Sequence, residues 1–171
     1  NNPLIAQEFT GSKVRQQTDS WLATLDRVSK VSSHLQLQPD LAHSHVLITG
    51  TGTSTYAASA IAAAWPRATT ASASNILLDT ERYIHGIDIV ISIAQGNAAE
   101  TVAAAERIHK IRPKIAHWGI ICNPEGYLAK SPWIQSIILD PGVNDSDPEM
   151  MNSFSILVLS GISLVDPVAV R

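Results

Sequence analysis

From residue 45 onward the hydrophobic pattern alternates between two periods. Asp88 to Ile93 is a near-continuous apolar run, and so is Ile134 to Leu139 apart from Gln135 and Ser136. Such runs indicate strands covered on both faces, as in a parallel sheet. Strands are expected near 45–49, 69–73, 88–93, 115–121 and 134–139. Between them lie helical stretches near 54–64, 99–111 and 148–164, with short helical turns near 79–84 and 125–130. Alternation of this kind predicts right-handed crossovers and an α/β fold, a three-layer α-β-α sandwich on a five-stranded parallel sheet of order 2-1-3-4-5. That order places a switch point between the first and third strands, where ligands bind at the strands' carboxyl ends. The loops at 50–54 and 94–98 should therefore face each other across one crevice.

Residues 1–44 carry helical spacing and no strand. Thr10 is a candidate cap for a short helix over 11–17. Thr18 or Asp19 is a candidate cap for a longer one bearing Trp21, Leu22, Leu25, Val28, Val31 and Leu35. Steps of three and four put these on one apolar stripe. Pro39-Asp40 then breaks the chain. The expected organisation is an N-terminal helical extension over 1–44, a ligand-binding domain over 45–166, and a linker or truncated end over 167–171.

The first loop is the most informative stretch. Leu47-Ile48-Thr49-Gly50-Thr51-Gly52-Thr53-Ser54-Thr55 leads from a buried strand through Gly and hydroxyl residues into an Ala-rich helix. The first N–H groups of a helix lack internal partners, the dipole is positive there, and glycines admit a ligand close to the backbone. A phosphorylated small molecule suits that chemistry. A dinucleotide fingerprint fits less well: Gly50 and Gly52 match, but Thr55 stands where the third glycine belongs, and Asp79 comes late for the ribose acid. No Gly-Lys-Ser/Thr occurs, which excludes a Walker-type loop. The plainest alternative is an ordinary strand–helix turn capped at Ser54. The second loop, Ala94 to Thr101, repeats the grammar: a buried strand, a small polar turn at Gly96, then an Ala-rich helix.

Composition narrows the partners. The chain has 171 residues, 45% hydrophobic and 16% charged, with net charge −3 and one cysteine. There is no basic stripe, so nucleic acid is not an expected partner. Cys122, within an apolar run, reads as a buried small hydrophobe. His34, His43, His45, His85, His109 and His117 lack metal-ligand spacing, and no metal is expected. His85, beside Gly86, reads as a turn residue. No apolar run is long enough to span a membrane. A cytoplasmic metabolic protein is the expectation. No Gly-x-Ser-x-Gly and no EF-hand spacing is present.

With both loops in view, the chain resembles the sugar isomerase (SIS) domain family. Gly52-Thr53-Ser54 matches that family's loop after its first strand, and Ala94 to Ala98 followed by Glu100-Thr101 stands in the position of its Ser-x-Ser-Gly loop. Finer similarity is to the tagatose-6-phosphate ketose/aldose isomerase and galactosamine-6-phosphate deaminase group. It is carried by Leu47 to Tyr56, Ser92 to Ala104, Cys122 to Ala129 and Asn144 to Phe154. The resemblance implies phosphosugar binding by Gly52, Thr53, Ser54, Gln95, Gly96, Asn97, Thr101, Asn152 and Ser153, with no organic cofactor. It also implies Glu100 as the candidate base for moving a proton between adjacent sugar carbons. Glu100 has a plainer role as well, since a carboxylate in a helix's first turn complements the dipole.

Two departures bear on activity. Ala94, Gln95, Asn97, Ala98 and Ala99 replace the family's hydroxyl residues, and the loop is one residue shorter. Members of this group also carry two such domains, where this chain has room for one. The expected function is phosphosugar recognition within an isomerase or deaminase of amino-sugar catabolism. A non-catalytic phosphosugar-sensing module is the alternative, and a nicotinamide-binding domain is a third. Whether the lone chain catalyses is left open. A homodimer or a second SIS domain is the expected partner, with the Trp21, Leu25, Val28 and Val31 stripe as a candidate contact surface.

Overall fold

The computed structural model describes residues 18–31, 43–96, 98–139 and 151–165, apart from the side chains of 151–153 and 165. The expected helix over 11–17, Leu35, the Pro39-Asp40 break, Asn97, most of the 140–152 loop and the 167–171 end lie outside them. Helix α1 (18–31) precedes strand β1 (Val46–Gly50). Then come α2 (Thr53–Ala64), β2 (Ala68–Ser72), α3 (Ala73–Leu78), α4 (Thr80–Ile84) and β3 (Ile89–Ala94). They are followed by α5 (Ala99–Ile111), β4 (Ala116–Ile121), α6 (Tyr127–Lys130), β5 (Ile134–Ile138) and α7 (Met151–Val165).

The strands form one sheet of order β2-β1-β3-β4-β5, parallel throughout, as the alternation predicts. Register aligns Gly50 with Ile93, so the carboxyl ends of β1 and β3 finish level. Side chains alternate between two cores. Val46, Ile48, Ile91, Ile93, Trp118 and Ile120 pack under α1, α2 and α7. Leu47 and Val90 pack with Ala73, Ile76, Ala104 and Ile108 under α3 and α5. Ile121 and Leu128 join Ala105 at the β4 end of that second face. Cys122 is a buried free thiol, and burial raises its pKa to about 11.

Three expectations need correction. Helix α3 was not expected: its run of Ser, Ala and Asn has weak helical character. It forms because the Ser72 hydroxyl caps it, accepting from the Asn75 N–H at 3.2 Å, and Ile76 buries against the sheet. Thr18 and Asp19 are not caps, since both already lie within α1. The α1 stripe is not a free surface either. Val28 is buried and Val31 packs against the same core, while the Trp21 indole N–H donates to the Ser155 hydroxyl on α7 at 3.0 Å. Leu22, at 62% exposure, points away from that core.

Candidate functional site

The crevice is built from two tight turns at the level carboxyl ends of β1 and β3. In the first, the two glycines have different reasons. A Cβ on Gly50 would lie 2.7 Å from the Ser54 Cβ, so α2 passes too close for any side chain there. Gly52 adopts φ 58° and ψ −127°, a region open essentially to glycine alone, and nothing stands within 4 Å of where its Cβ would be. The backbone at Gly52 therefore faces open space.

Gly52 is also the N-cap of α2, and it supplies no side-chain acceptor. The cap is thus not Ser54, which is the second residue of the helix and is buried. Thr55 ties the turn down by donating its hydroxyl to the Gly50 carbonyl at 3.0 Å. Across the crevice α5 begins at Ala98, again without a side-chain cap. By contrast α3 and α4, which begin away from the crevice, are capped by Ser72 and Asp79. Both helices that start at the crevice present their positive ends without a built-in acceptor.

The two turns are joined directly. Thr51 Oγ1 and Thr101 Oγ1 lie 3.0 Å apart, linking residues fifty positions apart in sequence. Thr101 is 0% exposed, whereas Thr51 is partly exposed. Gln95 and Gly96 are partly exposed on the second turn. Glu100 is exposed, and its carboxylate accepts from the Ser74 hydroxyl at 2.7 Å, on the side of the crevice facing α3. Asn97 lies outside the described residues. Asn152 and Ser153 fall in the first turn of α7, where only the backbone is described.

Two further features gave no signal in the sequence. A largely apolar cavity of about 370 Å³ opens between α5 and α6, lined by Ala94, Gly96, Val102, Glu106, Tyr127 and Leu128 among others. The Tyr127 phenol bonds the Glu106 carboxylate, which raises its pKa. Remote from the crevice, His109 stacks on Trp133 at 4.3 Å between ring centroids, and His117 meets both rings edge-on. Burial, with the nearby His109, lowers His117 to a pKa of about 4. Among the described residues, no group of three or more His, Cys, Asp or Glu side chains could hold a metal ion. No helix among them is long and apolar enough to cross a membrane.

Known proteins share both the sequence pattern and the fold. The chain is 24% identical over 176 residues to the D-galactosamine-6-phosphate deaminase AgaS of Escherichia coli O157:H7, covering 93% of this chain and 46% of the relative. Its fold superposes on the tagatose-6-phosphate ketose/aldose isomerase of Escherichia coli with a TM-score of 0.81, at 22% identity, covering 94% of this chain and 48% of that one. These findings support a sugar isomerase (SIS) domain. An Escherichia coli CFT073 protein, solved in complex with a phosphosugar ligand, has the same fold at a TM-score of 0.59 and 13% identity, covering 100% of this chain and 95% of that one. No family model matches the chain. The chain spans about half the length of the curated relative it matches.

Proposed function

We propose that this SIS-like domain binds a sugar phosphate in the crevice between the β1–α2 and β3–α5 turns. The observation that carries the reading is the pair of uncapped helix starts meeting over Gly52, where the backbone is open to a ligand. Two positive helix ends with no side-chain acceptor suit a phosphate. In this reading Gly52, Thr53 and Ser54 surround the anion, and Gln95, Gly96 and Asn97 approach from the second turn. Asn152 and Ser153 close on the sugar from α7. The likeness to AgaS and to the tagatose-6-phosphate isomerase supports an aldose–ketose isomerase or deaminase of amino-sugar catabolism as the setting, in the cytoplasm where such phosphates are metabolised.

Glu100 is the candidate base. To reach an open-chain sugar its carboxylate must exchange Ser74 for the substrate, and no partner acid stands beside it among the described residues. The chain alone therefore binds without appreciable turnover, and a full site needs a second copy or a second SIS domain. Thermal melts with galactosamine 6-phosphate and tagatose 6-phosphate test the binding. At 100 times its Kd a ligand stabilises by about 2.7 kcal/mol, and Ser54→Ala should reduce that shift. Stabilisation by NAD but by neither sugar phosphate contradicts the reading. A coupled assay for ammonia or ketose phosphate tests the turnover. Robust activity abolished in Glu100→Gln would make the lone chain an enzyme with Glu100 as its base. The hydroxyl-poor second turn, with Ala94, Ala98 and Ala99, favours a phosphosugar-sensing module as the second reading.

A further inference from the structure

We infer that Thr51 is the side chain that meets the anion in this crevice, and that Thr101 is a positioning residue acting through it. The inference rests on the phosphosugar reading and names the hydroxyl that reading uses. Resemblance points to Thr101, but Thr101 is 0% exposed, so its hydroxyl cannot touch a ligand without rearrangement. Thr51 is partly exposed and sits between Gly50 and the open backbone of Gly52.

The direction of the bond between them follows from burial. Each hydroxyl has one proton to donate and two acceptor positions. If Thr51 donated to Thr101, the Thr101 proton would be left buried without an acceptor among the described residues, the costly arrangement. If Thr101 donates to Thr51, the buried proton is satisfied. The Thr51 proton is then free to point away from α5, where water or an anion can accept it. Thr101 therefore holds the Thr51 oxygen as an acceptor and leaves its O–H aimed into the crevice. An anion accepting from Thr51 makes a charge-assisted bond, and the chain Thr101 to Thr51 to phosphate polarises in one direction. The relay also fixes the start of α5 to the first turn, so the two walls of the site are held in register before a ligand arrives.

The test is a double-mutant cycle read by isothermal titration with two probes, galactosamine 6-phosphate and inorganic phosphate. Thr51→Val should weaken both probes about tenfold or more. Thr101→Val should weaken them less, and the Thr51→Val/Thr101→Val double variant should bind no more weakly than Thr51→Val alone. Thr51→Ser and Thr101→Ser keep the relay and should bind nearly as the unmodified chain. Independent, additive losses in the double variant would mean that Thr101 touches the ligand itself and overturn the inference. So would a Thr51→Val variant with unchanged affinity, or one weakened only for the sugar phosphate and not for inorganic phosphate. If Thr101→Val fails to fold, Thr51→Val and the two serine variants still decide. An unmodified chain that binds neither probe overturns the phosphosugar reading and this inference together; binding that survives Thr51→Val overturns the inference alone.

Discussion

Gly52 carries the geometry of the first turn. Its backbone lies where an L side chain is strained, so Gly52→Ala should destabilise the chain by about 1–3 kcal/mol. The added methyl would also enter the open space over the turn and abolish sugar-phosphate binding. Chemical denaturation and titration of the same variant read both effects; an unchanged midpoint and Kd would contradict this account of the turn. Deeper in the sheet, Thr49 and Ser92 are register partners on β1 and β3, and both hydroxyls are buried without a partner among the described residues. Thr49→Val replaces an unpaired buried hydroxyl by an isosteric methyl and should stabilise by about 1 kcal/mol. A lower melting temperature would mean that the Thr49 hydroxyl has a partner in solution, such as an internal water. The glycines and hydroxyls of the first turn were legible in the sequence because they interrupt an apolar run at a fixed place. The Thr51–Thr101 pair was not, because a contact across two crossovers leaves no periodic trace.

Among the elements, strands read best. β3 and β4 are flanked on both sides and covered on both faces, so their apolar runs are nearly unbroken. β2 is an edge strand whose Thr69 and Thr70 are exposed, and its place came from alternation rather than hydrophobicity. Short α3 escaped notice because Ser and Asn compete with the backbone in helices, and here the same property makes Ser72 a cap. The α2–α7 contact also has no local signal. Gly161 lies against Ile61, and a Cβ there would stand closer to the isoleucine than real Cβ atoms come. In an exposed helix Gly→Ala would stabilise by up to about 1 kcal/mol. At Gly161 overpacking of about 1–3 kcal/mol wins, so Gly161→Ala should destabilise. A rise in the urea midpoint would show that α7 shifts freely and that this seam is loose.

At the scale of the whole molecule, the acid limb of stability is set far from the crevice. His117 is neutral in the fold, with its pKa lowered from 6.5 to about 4 by burial and by His109. Between those values the unfolded chain binds a proton that the folded chain does not, so stability falls as pH drops from 6.5 towards 4 and is fully present above 6.5. The full effect is about 3 kcal/mol, and His117→Phe should flatten that part of the pH profile in denaturant titrations. An unchanged slope in the variant would place the acid sensitivity elsewhere. This cluster was hidden in the sequence because His109, His117 and Trp133 come from three separate elements, and only packing brings them together.

The central claim is that the crevice formed by the first and second turns is the phosphate site. Its most direct test is a crystal structure of the chain with galactosamine 6-phosphate. The account predicts the phosphate resting on the 51–54 turn, facing the start of α5. Density in the α5–α6 cavity, or at any other place with the 51–54 turn empty at saturating ligand, would contradict it.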